Sequence, residues 1–175
     1  MPRSMSDSKT GNLNVRVRSY VANDREACRT LYREGLIGGR IAANDSGIDI
    51  DDIHMAYIDC EKSHFWVAEN EAGEILGMVG VQHADPGVGE IRRLRVRQDS
   101  RRRGVGTALM ETAVRFCREH QFLKITLDTF MEREPAIRLF EKFHFNHQRT
   151  RKVGEKELLY FYLDLYHNDR EIRKR

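Results

Sequence analysis

Apolar and polar positions along this chain change period several times, and each change marks an element. Val15–Tyr20 alternates with period two and predicts a first strand, and Asn23 or Asp24 can cap a helix running to about Leu36, with Ala27, Cys28, Leu31, Tyr32 and Gly35 as its stripe. Between 37 and 63 the pattern weakens, although Ile50, Ile53, Tyr57 and Ile58 fit a second short helix. Phe65–Glu69, Glu74–Gln82 and Val88–Arg97 are β-rich and joined by the turns Asn70–Gly73 and Asp85-Pro86-Gly87, which predicts an antiparallel meander. Then Val105, Ala108, Leu109, Thr112, Ala113 and Phe116 recur at helical spacing to about His120, and Phe122–Asp128 follows as a strand. Strand, helix, strand predicts one crossover and a parallel pair. Glu134–Phe143, with Pro135 in its first turn, reads as a further helix, and Phe145–Gln148 and Glu157–Leu165 as closing strands.

The fold class that follows is α/β in the mixed α+β sense. It has a largely antiparallel sheet of six to seven strands, helices on both faces and one parallel β-α-β crossover. Residues 1–14 are polar and aperiodic and are expected to be a leader, 15–166 a single domain, and 167–175 a charged tail. A chain of 175 residues, 40% apolar and 33% charged, suits one globular domain and excludes collagen-like and wholly disordered classes. Apolar runs such as Ile75–Val81 fall far short of the roughly 18–20 residues of a membrane helix, and 1–14 holds no export-type apolar stretch. A cytoplasmic protein with no membrane partner is expected. Cys28, Cys60 and Cys117 form no C-x-x-C, and His54, His64, His83 and His147 have no ligand spacing, so no metal is expected. Phe65, Trp66, Phe122 and Tyr162 read as core.

Charge changes the picture more than composition does. The net charge is +3, yet Arg92–Arg103 carries seven arginines against Asp99, which leaves the rest of the chain at −3. So confined a positive segment suits a compact polyanion better than nucleic acid, and the interleaved aromatics of a single-strand platform are absent. Within it a strand ends, a short Arg- and Gly-rich loop follows, and a helix opens at Gly104–Thr107. Helix-start amides lack intrahelical acceptors and attract anions. No Lys follows Gly106, which excludes a P-loop, and Leu109 stands where the dinucleotide fingerprint needs its third glycine. What remains is Arg101-x-x-Gly104-x-Gly106.

That segment resembles the acetyl-coenzyme A signature [QR]-x-x-G-x-[GA] of the GCN5-related N-acetyltransferase (GNAT) family. The resemblance extends to Gly89-Glu90-Ile91-Arg92-Arg93-Leu94 and to Ala136-x-x-Leu139-Phe140-x-x-x-His144-Phe145. It implies a GNAT-like fold and transfer of an acetyl group from acetyl-CoA to a primary amine of a small molecule or peptide, by direct attack in a ternary complex. A coenzyme-A-binding sensor of the same fold is the alternative. By the same resemblance Arg101, Arg102, Arg103, Gly104, Val105, Gly106 and Thr107 would seat the pyrophosphate, while Leu94, Arg95 and Val96 would line the pantetheine arm and thioester. Acceptor pockets in the family come from segments that correspond to Leu36–Glu61 and Lys142–Glu157, and a homodimer is compatible.

The chemistry needs a proton acceptor, because an alkylamine with a pKa near ~10 is mostly protonated at neutral pH. Glu90, fourteen positions before Gly104, stands where several family members keep a glutamate base, and the Leu94 amide could stabilise the developing oxyanion. In an unbroken strand Glu90, Leu94 and Val96 share one face, and Arg93, Arg95 and Arg97 share the other, as a solvated stripe or a partner contact. The late helix departs from the family motif: Arg133, Phe140 and His144 replace its asparagine, its acid tyrosine and its glycine, leaving Tyr160, Tyr162 or His144 as candidate donors. The acidic run from Asp45 to Glu61 reads as a solvated helix face or an attractor of cations. Cys117 and His120 read as incidental neighbours.

Overall fold

The computed structural model describes residues 12–40, 42 and 44–166, so the leader's first eleven positions and the tail from His167 lie outside the described residues. Seven strands, β1 (Arg16–Ser19), β2 (His64–Glu69), β3 (Ile75–Asp85), β4 (Val88–Val96), β5 (Lys124–Phe130), β6 (Asn146–Val153) and β7 (Lys156–Asp164), form one sheet in the order β1-β2-β3-β4-β5-β7-β6. The helices are α1 (Arg25–Glu34), α2 (Ile48–Asp51), α3 (Val105–Glu119) and α4 (Glu134–Lys142). Every neighbouring pair is antiparallel except β4 and β5, which α3 joins as the expected crossover.

Two cores hold the layers together. Leu76, Val79, Ile91, Leu109, Met110, Ile125 and Leu127 belong to a cluster under α3 and α4; Cys28, Leu31, Ile50, Tyr57, Phe65 and Met78 belong to a second under α1, α2 and a π-helical turn at His54–Ile58. α3 presents Val105, Leu109, Met110, Ala113, Val114 and Cys117 to the first; Val105, Leu109 and Ala113 belong to the expected stripe, whereas Ala108, Thr112 and Phe116 are only partly buried at its margin.

Three expectations shift. The expected helix between 37 and 63 is a four-residue α2 plus the π turn, separated at Asp52, whose φ −139° and ψ 80° leave the helical region although Ile50, Ile53 and Tyr57 keep helical spacing. β5 begins at Lys124 rather than Phe122, since the Leu123 and Lys124 amides both bond Gly87 O and pairing with β7 continues to Phe130. β6 runs to Val153 although Asn146–Lys152 is exposed throughout; an edge strand that buries no face leaves no alternation to read, and its Arg149, Arg151 and Lys152 discourage edge pairing.

Candidate active site

β4 and β5 pair only at Val88↔Lys124, Gly89↔Ile125 and Glu90↔Thr126. Beyond Glu90 the strands separate, and the sheet opens as a fork. Arg97 donates its amide to Leu76 O on β3, so by alternation the main-chain groups of Val96 and Leu94 point into the fork. Their carbonyls already accept guanidinium hydrogens: Leu94 O from Arg95 Nη1 at 2.8 Å and Val96 O from Arg101 Nε at 3.3 Å. Their amides are the groups left for a ligand along this edge.

The strand is not unbroken. Met78↔Arg95 is followed by Gly80↔Arg92, three residues of β4 against two of β3, and Arg93 sits at the bulge with φ +59°. A bulge reverses side-chain parity. Ile91, Leu94 and Val96 therefore all pack toward the α3 core, while Arg92 and Arg93 turn the other way, toward Gln82 and the α2 segment. This corrects two expectations. Glu90 does not share a face with Leu94 and Val96, and Arg93 is no solvated stripe: it is 8% exposed and bonds Asp45 (2.5 and 2.8 Å) and Asp49 (2.8 and 2.5 Å). Asp45 and Asp49 are thereby committed, and Arg93 holds both carboxyls below the usual carboxylate range. The acidic run is a structural clamp at these two positions.

Arg95 has no such partner. Its Nε is buried without a hydrogen bond, and it packs so closely beneath Gly35 that a Cβ there would lie 2.4 Å from it. Burial, together with the charges of Arg133 and Arg93, pushes its guanidinium down from the ordinary arginine value. Arg133, the N-cap residue of α4, donates Nη2 to Gly35 O and is likewise pushed down, by burial and by Arg101. Sequence analysis named Arg95 as a coenzyme-lining residue and Arg133 as a departure from the family motif, but not their meeting at Gly35, which the tertiary contact with the end of α1 creates.

The loop after β4 places the Arg-x-x-Gly-x-Gly residues at the start of α3. A short 3-10 turn at Gln98–Ser100 is followed by Arg102 at φ +57° and Gly104 at φ +85°, which serves as N-cap without a side-chain cap. Left-handed residues interrupting the turn aim successive amides into a common concavity, and the uncapped first turn adds its own. Thr107 Oγ1 lies 3.5 Å from Lys142 Nζ, so a further cation stands at this mouth. Gly106 serves packing, with Leu139 Cδ2 3.3 Å from where its Cβ would be.

Glu90, at the apex of the fork, has no side-chain hydrogen-bonding or ion-pair partner among the described residues and borders a cavity of about 310 Å³ also lined by Cys60, Glu61, Ser63 and His83. Burial raises its carboxyl above the ordinary glutamate value, Arg92 opposes this, and Asp128 adds to it. Asp128 was not a sequence candidate, since it ended the expected strand. It is open to solvent, yet desolvation raises its carboxyl too, with Arg92 again opposing. A carboxylate that water reaches while protein surrounds it stands in a cleft. The uninterrupted register Thr126↔Tyr162 and Asp128↔Tyr160 puts Thr126, Asp128, Tyr160 and Tyr162 on the face that Glu90 occupies. Tyr162 is thus not core: it is partly exposed, with Lys124 Nζ 4.9 Å from its ring centre.

Phe140, at the position of the family's tyrosine, is 4% exposed between Phe145 and Phe161. His144 adopts φ +64°, a conformation glycine takes without strain. Burial pushes the Cys117 thiol up to about 12, so it offers His120 no reactive partner.

The family model for the acetyltransferase (GNAT) family matches residues 26–145, and the chain belongs to that family. It is 33% identical over 104 residues to the probable N-acetyltransferase camello of Xenopus tropicalis, covering 58% of this chain and 47% of that one. It is 32% identical over 102 residues to human N-acetyltransferase 8, covering 55% and 44%. The chain thus spans about half the length of the curated relatives it matches. Among solved structures, a GNAT-family acetyltransferase from Staphylococcus aureus superposes with a TM-score of 0.75 at 18% identity, covering 86% of this chain and 99% of that one. A GCN5-related N-acetyltransferase from Kribbella flavida gives 0.74 at 21% identity, covering 86% and 98%. At such identities the likeness speaks for the fold. Among the described residues no helix is long and apolar enough to cross a membrane.

Proposed function

We propose that this chain is an N-acetyltransferase that moves an acetyl group from acetyl-CoA to the primary amine of a small molecule or peptide. The observation that carries this reading is the fork between β4 and β5, with an uncapped helix start beside one arm and an unpaired carboxylate, Glu90, at its apex. The amides of the Arg101–Thr107 turn hold the pyrophosphate, with Arg101, Arg102 and Arg103 around it, and the Leu94 and Val96 amides meet the pantetheine arm beside Arg95. The coenzyme supplies the activated acetyl group. Glu90 takes a proton from the bound ammonium so that nitrogen has a lone pair, and the Leu94 amide stabilises negative charge on the thioester oxygen.

Thermal melting with acetyl-CoA and thiol release across a library of amines test the reading together. A ligand that binds only the folded state raises the melting point, and a competent acceptor releases thiol. A melting point unmoved by the coenzyme, with no heat on titration, overturns the assignment. One observation favours a second reading, a coenzyme-binding module without turnover: the family's acid tyrosine is replaced by the buried Phe140. Coenzyme binding with no thiol release from any amine selects it.

A further inference from the structure

Acetyl transfer from a thioester to an ammonium involves two proton removals, and the described structure holds two unpaired carboxylates at the fork. Glu90 is the last residue of β4 paired to β5, and Asp128 stands two residues beyond its partner Thr126, on the arm that continues past the apex. Direct pairing and the period of two put both side chains on one face. Neither side chain is hydrogen-bonded or ion-paired among the described residues. The other charged groups in reach are Arg92, Arg93 and Arg95 from β4 and Asp45 and Asp49 from the α2 segment, while Tyr160 lies opposite Asp128 on β7 and Glu61 and His83 line the cavity beside Glu90. Arg93 is occupied by Asp45 and Asp49, and Arg92 by Gln82 Oε1 at 2.9 Å. The two acids differ in placement: Glu90 borders the 310 Å³ cavity at the apex, and Asp128 stands exposed on β5, two residues past the last pairing with β4.

Building on the acetyl-transfer reading, we propose that Asp128 is a second proton carrier, which takes the second amine proton and delivers it to the departing sulfur. An ammonium gives its first proton to a Glu90 oxygen, and that proton leaves to water through the adjoining cavity. The nitrogen lone pair then forms the C–N bond at the thioester carbon, and the carbonyl π pair moves to oxygen. The nitrogen, now positive, yields a proton to Asp128. The oxyanion pair re-forms the carbonyl, the C–S bond breaks with its pair on sulfur, and the Asp128 proton passes to that thiolate. The sum is ammonium plus thioester to amide, thiol and one released proton, with both carboxylates restored. This route supplies the acid that Phe140 cannot.

Turnover of the full chain is measured with acetyl-CoA and with the acetyl selenoester of the same coenzyme, whose selenolate leaves at neutral pH without a proton. With acetyl-CoA, Asp128→Asn should lower kcat on the order of 100-fold while coenzyme KM and melting point hold. Most of that loss should disappear with the selenoester. Glu90→Gln should show the opposite pattern, recovering with rising pH and gaining nothing from the selenoester. Should Asp128→Asn alter the melting point or KM, Asp128→Glu decides: restored turnover supports the relay, and continued loss overturns it. Full activity of Asp128→Asn, or an equal loss with both esters, removes Asp128 while leaving acetyl transfer intact. An unaltered chain that binds coenzyme and acetylates nothing overturns both.

Discussion

Arg93 and Asp45 lie 48 positions apart in the chain and meet through two hydrogen bonds of 2.5 and 2.8 Å, with Asp49 on the same guanidinium. The contact ties the segment after α1 to the bulge of β4 and so braces the strand that carries Glu90. Removing one member of such a buried cluster leaves uncompensated charge.

Arg93→Met should therefore lower unfolding free energy by about 3–5 kcal/mol at pH 7. The effect has a pH signature. Asp45 and Asp49 have folded values below the ordinary carboxylate value, so their contribution is complete above ~4 and is lost as pH falls through the folded values. The stability gap between the native chain and Arg93→Met should narrow as pH falls from 7, because the carboxyls left unpaired in the variant take up protons before those of the native chain do. Denaturant unfolding from pH 7 downward measures it.

Arg95 invites the opposite outcome. Its buried Nε has no acceptor, and the charges of Arg133 and Arg93 stand against it. Replacing a buried, unpaired cation by an apolar side chain of similar length removes a desolvation cost, so Arg95→Met should leave the melting point equal or higher. A fall of several degrees would show that the guanidinium is compensated.

For Glu90 the expectation concerns rate. A base works only when ionised, and burial sets this carboxyl above the ordinary glutamate value of about 4.3. The acid limb of kcat against pH should lie above that value. In Glu90→Gln turnover should fall at neutral pH and recover as pH rises toward the amine pKa near ~10. Unchanged rates across pH would remove Glu90 from the mechanism.

Gly104 tests the anion seat. At φ +85° a Cβ costs roughly 1–2 kcal/mol in backbone strain, although the nearest side-chain atom, Asn12 Oδ1, lies 3.5 Å away. Gly104→Val should weaken acetyl-CoA binding measured by calorimetry, because the strained turn no longer aligns its amides. Retained affinity would displace the pyrophosphate from this loop.

The linear chain determined what local physics controls. Period two, Asn70–Gly73 and Asp85–Gly87 specified the meander; the 3.6 period of 105–119 specified the crossover helix; glycines at 104 and 106 with the arginine cluster marked the loop proposed to seat the pyrophosphate. Turn chemistry and amphipathicity are properties of neighbours in sequence. The tertiary structure decided what depends on distant neighbours. A single extra residue at Arg93 reversed the parity of β4, because a bulge is set by pairing with β3 and leaves no mark in the alternation itself. Packing of the segments around α1 and α2 turned an apparently solvated arginine into a buried clamp on Asp45 and Asp49 and left the Arg95 Nε without an acceptor under Gly35, while the parting of β4 from β5 left Asp128 beyond the apex at Glu90. Charge tells which residues need partners; only the packed fold determines which of them receive one.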